Sequence, residues 1–150
     1  MDCKTAYSKA AALCAQQERC CSEIRDKLDT WQVDPTEGET IIHKLVEEKF
    51  IDERRFAGFY ARDKFRFNKW GRIKIAWHLR QKKIENSVIS DVLSNFDEAD
   101  YIQTLLSLLK DKDRALSGRD FLKKKAALVR YAVSKGFEYD QIMKTLDRLL

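Results

Sequence analysis

A chain of 150 residues, 44% hydrophobic and 35% charged, suffices for one domain or a short array of repeats and is too regularly apolar to stay disordered. One proline (Pro35) and five glycines are too few for a β-sandwich, which needs a turn every eight to twelve residues. No apolar run approaches the roughly 18 residues of a membrane span, and Met1-Asp2-Cys3-Lys4 does not open a secretion signal, so a cytoplasmic protein without membrane contact is expected.

The first 21 residues hold all four cysteines, Cys3, Cys14, Cys20 and Cys21, with no C-x-x-C pair. His43 and His78 have no ligand-like spacing to them, so free thiols are expected, with no disulfide framework, metal or other cofactor. Ile24/Leu28 then opens a helical periodicity that continues through Ile41/Leu45, Phe56/Tyr60, Ile89/Leu93, Tyr101/Leu105/Leu109 and Ile142/Leu146. Boundaries fall at Asp34-Pro35, with Asp as cap and Pro opening the helix, and at Asn68-Lys69-Trp70-Gly71, Glu85-Asn86-Ser87 and Lys135-Gly136. About nine helices and no strands are expected.

Within the third run, Phe56, Phe59, Tyr60 and Phe67 are placed on one face and Phe65 opposite. Asp63 lies on the apolar side, with Arg55 or a base of the next helix as its expected partner. The following helix, with Ile73, Ile75, Ala76, Trp77 and Leu79, has an apolar arc too wide for one neighbour. The aromatics have core spacing and are expected to pack, with Trp70 in its turn the one most open to solvent.

The helices repeat in threes. Leu28 then Val33 matches Leu79 then Ile84, and Ala132 then Phe137, at intervals of 51 and 53 residues. Ile89/Leu93 and Ile142/Leu146 follow at the same offsets, and Ile41/Leu45 is displaced only by extra residues in the Pro35–Glu39 turn, where an insertion is tolerated. The expected fold is all-α: three tandem three-helix repeats, 1–52, 53–97 and 98–150, forming an elongated, curved array.

Charge is unevenly spread. Between Glu53 and Lys83, eleven Lys/Arg stand against Glu53 and Asp63, so the middle repeat is basic and the flanks are mildly acidic. Arg62, Arg66, Lys69, Arg72 and Lys74 surround the Phe67–Gly71 turn and are expected to centre a positive binding patch. Arg80, Lys82 and Lys83 would extend it. Asp63 has no second acid or base for catalysis, and no Gly-rich phosphate loop is present, so no catalytic or nucleotide site is expected.

Four stretches in this basic middle resemble the signature of the RecX family: Phe50-Ile51-Asp52-Glu53-Arg54-Arg55-Phe56-Ala57, Tyr60-Ala61-Arg62-Asp63, Gly71-x-Ile73, and Leu79-Arg80-Gln81-Lys82-Lys83-Ile84. Weaker matches at Glu23-Ile24-x-x-Lys27-Leu28 and Lys135-Gly136-Phe137 extend the resemblance over nearly the whole chain. It implies a non-enzymatic, monomeric regulator that binds the RecA–DNA filament and suppresses ATP hydrolysis, strand exchange and filament growth, contacting DNA in the filament or weakly alone. A helix-turn-helix-like protein that binds DNA directly is the alternative. The family usually has Gly where Lys83 stands and Ser where Cys20 stands. Lys83 is thus expected either to cost about 1 kcal/mol as a left-handed helix stop or to force a different turn, and Ser22 to replace Cys20 as cap.

Overall fold

The computed structural model describes residues 1–150 and contains nine α-helices and no strand. They are α1 (Cys3–Gln16), α2 (Cys21–Thr30), α3 (Pro35–Glu47), α4 (Glu53–Asn68), α5 (Arg72–Gln81), α6 (Asn86–Ser94), α7 (Glu98–Ala115), α8 (Phe121–Ser134) and α9 (Tyr139–Leu149). Aspartates start several of them. Asp2 accepts the Thr5 N–H at 2.7 Å, Asp34 that of Thr36, Asp97 that of Ala99 and Asp120 that of Lys123, each satisfying an otherwise orphaned donor. Pro35 opens α3 as its spacing predicts. Helix α2 begins after Cys20, whose N–H donates to Glu23 at 3.4 Å, and Ser22 does not replace it as cap.

The tandem repeat is legible in the backbone. At the end of α2, α5 and α8 one residue turns left-handed: Gln32 (φ +59°), Lys83 (φ +63°) and Gly136 (φ +95°). Each turn is closed by the same pair of bonds. Val33, Ile84 and Phe137 donate to Leu28, Leu79 and Ala132, while Gln32, Lys83 and Gly136 donate to Asp29, Arg80 and Val133. Ile24, Ile75 and Leu128, one helical turn before the repeated Leu28, Leu79 and Ala132, are each fully buried. The apolar positions that define the repeat in sequence are therefore its core positions in space.

Two compact units partition the chain. One comprises Met1–Tyr60 and Leu79–Ile89, the other Ala61–His78 and Ser90–Leu150, so α4, α5 and α6 each contribute residues to both. In the first unit α1, α2 and α3 pack mutually around Ala6, Ala10, Ile24, Leu28, Ile41 and Leu45. Ala6 and Ala10 bring α1 close to its neighbours. In the second unit α7, α8 and α9 enclose Tyr101, Leu105, Leu109, Leu128, Phe137 and Leu146.

Helix ends meet inside each unit. In the second, the first N–H groups of α5 find partners at the end of α8: Gly71 donates to the Lys135 carbonyl at 2.7 Å and Ile73 to Gly136 at 2.9 Å. Between them the Arg72 N–H donates to the Tyr101 hydroxyl at 2.9 Å. Orphan donors of one helix thus satisfy orphan carbonyls of another. The approach needs two glycines, because a Cβ on Gly71 would lie 2.4 Å from the Gly136 oxygen and one on Gly136 2.3 Å from Lys74 Cβ. In the first unit the corresponding residues are Cys20 and Lys83, which carry side chains. There the contact is made by side chains: Ser22 Oγ donates to the Lys82 carbonyl at 2.7 Å, and Lys82 pairs with Glu23 at 2.9 Å.

A second tie in the second unit is ionic. The Tyr101 hydroxyl donates to Glu138, and the Arg72 guanidinium bridges Glu138 (3.0 Å) and Glu98 (2.7 Å) while lying 3.9 Å from the Tyr101 ring centre. Tyr101 is fully buried, and burial followed by the Glu138 bond raises its pKa strongly.

Two expectations for α4 fail. Asp63 is exposed, and Arg55 pairs with Glu18 at 2.7 Å and donates to the Lys49 and Phe50 carbonyls. Phe67 is 73% exposed, whereas Phe65 stacks on Phe96 and Tyr101. The inward line of α4 runs through Ala57, Ala61 and Phe65 in steps of four. Small residues mark that line, and large aromatics alone mislead about it.

In urea denaturation Lys83→Gly should stabilise the protein by about 0.5–1 kcal/mol, and Gly136→Ala should destabilise it by at least about 2 kcal/mol. Arg72→Ala should cost about 2–3 kcal/mol, because it strands Glu138 beside a buried tyrosine, while Arg66→Ala should stay within about 0.5 kcal/mol of the parent. Stability should also fall above pH 9. Burial and then Glu53 push the Cys21 thiol up to about 12, and Tyr101 also lies above its usual 10.0. The folded chain therefore holds protons that the unfolded chain has already released, and its advantage shrinks as pH rises. Urea midpoints at pH 7.5 and pH 10 measure the loss, which Cys21→Ala should reduce.

Candidate functional site

Six Lys/Arg and one acid, Asp63, occupy residues 61–78, the part of α4 and α5 belonging to the second unit. Helical spacing places Arg62 and Arg66 on one face of α4, and Lys69 follows in a left-handed turn (φ +58°). All three are exposed, and with Phe65 they form one side of an open groove of about 470 Å³. Asn95, Phe96, Asp97, Asp100, Gln103 and Thr104 line the rest.

Cations gather where α4 ends. Lys69 donates to the Arg66 carbonyl and Lys135, from the end of α8, to the Asn68 carbonyl, both at 2.8 Å. Positive charge complements the carbonyl-rich end of a helix. Burial, then the neighbouring Lys74, lowers the Lys135 pKa. Just beyond, Trp70 is half-buried and stacks on His78 with ring centres 4.5 Å apart. The ammonium groups of Lys64 and Lys74 lie 5.1 and 4.8 Å from the Trp70 ring.

The expected patch residues thus divide. Arg62, Arg66 and Lys69 share the groove, and Lys74 sits over Trp70 and near the Ser134 carbonyl (3.5 Å). Arg72 turns inward to Glu98 and Glu138, leaving its side chain 19% exposed, so it serves the fold rather than the patch centre. Of the three residues in the first unit, Arg80 is exposed and donates to Asn86 at 3.1 Å. Lys82 is committed to Glu23, and Lys83 is exposed in its left-handed turn. Lys135 was missed because no local pattern marks it; only the glycine junction carries it to α4. Trp77 and Ile73 read as core in sequence but are 54% and 55% exposed. No group of His, Cys, Asp and Glu is arranged to hold a metal ion, and no helix is long and apolar enough to cross a membrane.

A family model described as RecX, second three-helix domain, matches residues 52–93. Regulatory protein RecX of Chlorobium phaeobacteroides (strain BS1) is 28% identical over 148 residues, 99% of this chain and 95% of its own. Regulatory protein RecX of Bacillus thuringiensis (strain Al Hakam) is 26% identical over 96% of this chain, which spans about half (53%) of that relative's length. The crystal structure of RecX from Lactobacillus salivarius superimposes with a TM-score of 0.89 at 22% identity, covering 98% of this chain and 96% of that one, a likeness of fold. A second crystal structure, of regulatory protein RecX, gives 0.90 at 26% identity over 97% of this chain and 71% of that one. The matched central domain, the relatives aligned along nearly the whole chain and the superimposable crystal structures lead to one conclusion: in sequence and in fold this chain is similar to the RecX proteins.

Proposed function

We propose that this chain is a cytoplasmic regulator that acts by binding, not by catalysis: it binds the RecA–DNA filament and inhibits RecA ATP hydrolysis, strand exchange and filament growth. The observation that carries this reading is the exposed basic groove wall of Arg62, Arg66 and Lys69, in a segment with six bases and one acid. A filament of protein on DNA offers phosphate and carboxylate to such a surface, and long basic side chains reach both. The reading fits the name of the relatives, which are regulatory proteins. In this proposal the repeats 1–52, 53–97 and 98–150 are the working modules, the middle one carries most of the charge, and the chain acts as a monomer. Exposed charges of this kind steer association and set its salt dependence more than they stabilise the bound state.

The test is RecA's DNA-dependent ATP hydrolysis, titrated with the parent chain and with the Arg66→Glu/Lys69→Glu double variant. Arg72 stays intact, since reversing it would disturb the fold. The parent should inhibit hydrolysis. The double variant, which sets two acids at the carbonyl end of α4, should still fold and melt within about 5 °C of the parent, and it should need at least about ten times more protein for half-inhibition. Equal inhibition by both would reduce the groove wall to a solvated face, and no inhibition by the parent would remove the proposed function.

A further inference from the structure

On α5, Ile73 and Trp77 lie one helical turn apart, and both are more than half exposed. Side by side on a charged chain, they offer an apolar step that a flat ligand can cover. Its surroundings say which kind. Trp77 meets His78 edge-on with ring centres 4.9 Å apart, and His78 in turn stacks on Trp70, so three rings form one cluster. The ammonium groups of Lys64 and Lys74 already lie on Trp70, which leaves the exposed indole of Trp77 as the ring open to a ligand. Phe67, 73% exposed, projects from the last turn of α4 in the same unit. Around these rings the chain is almost purely basic, with Asp63 the only acid between 61 and 78.

A protein partner that buried Ile73 and Trp77 would have to desolvate these ammonium groups or supply acids for them. An unstacked nucleotide answers both features at once, because its base offers a flat aromatic face and its phosphate a compensating charge. A duplex answers only the second, since its bases are already stacked on one another. We infer that the Ile73/Trp77 face of α5, with Lys64 and Lys74 beside it, is a base-stacking site for single-stranded nucleic acid. The inference rests on the proposed filament-binding role and deepens it. Within that role, the α5 face holds one or two bases of an exposed strand, while Arg62, Arg66 and Lys69 contact charge. Stacking of this kind tolerates any base sequence, as a regulator acting along a strand requires.

The test separates stacking from charge. Binding of the full chain to a dT 20-mer is compared with binding to a 20-mer of abasic residues, which carries the same phosphates and no bases, with tryptophan fluorescence as one readout. The parent should bind the dT oligomer about ten times more tightly than the abasic one and show quenched fluorescence. Trp77→Ala should remove most of that preference, leave the salt dependence of abasic binding unchanged and keep the parent's melting temperature. Trp77→Phe should retain part of the preference, and Ile73→Ala supplies a second variant of the same face. Equal affinity of the parent for the two oligomers, or an undiminished preference in Trp77→Ala, overturns the inference. If the parent shows no preference for bases while Trp77→Ala weakens inhibition of RecA, the face belongs to a protein contact; the inference then falls and the regulatory role stands. A Trp77-dependent preference for bases without any effect on RecA keeps the site and removes the role.

Discussion

The second unit depends on the contact between the end of α8 and the start of α5. Two helix termini that would each leave backbone groups unsatisfied are set end to end, so that Gly71 and Ile73 donate to Lys135 and Gly136. The contact works only because neither backbone carries a Cβ at the point of approach, and only because Gly136 turns left-handed. Much of the candidate site follows from it. It brings Lys135 onto the end of α4, sets Lys74 against the Ser134 carbonyl and places the Arg72 N–H on Tyr101. The related contact in the first unit, made through Ser22, Lys82 and Glu23, has to work around the side chains of Cys20 and Lys83, and it buries Cys20 completely.

Basic residues close together in sequence take different roles because of their surroundings. Arg72 and Lys69 are three apart, yet one is enclosed by two glutamates and a buried tyrosine while the other stands in water. For Arg72, partial burial makes its charge a structural element: the pair with Glu138 must be kept whole, since removing either member strands the other. Arg62, Arg66 and Lys69 are exposed, and water keeps each of their ionic interactions weak in isolation. The same distinction separates Lys82, held on Glu23, from the exposed Lys83 next to it. A count of charges along a chain cannot make this division, because the carboxylates that consume some of the cations lie far away in sequence.

The helical architecture is written in short-range patterns along the chain. The spacing of Leu28/Val33, Leu79/Ile84 and Ala132/Phe137 marks the same left-handed helix stop in each repeat, and Asp34, Pro35 and Gly136 punctuate the chain where the helices begin and end. These features are local: a 3.6-residue period, a cap and a left-handed turn are set by residues within a few positions of one another. The basic character of the middle repeat and the family signature are equally visible in the linear order. Packing between helices settles which charges are exposed and which aromatics lie inside. Phe65 goes inward and Phe67 outward because the buried line of α4 follows Ala57 and Ala61, whose small side chains give no hydrophobic peak to read. Trp77 has core spacing and is open to solvent, and Lys135 joins the site from 66 residues beyond Lys69, because helix packing and not periodicity chooses the neighbours of a side chain.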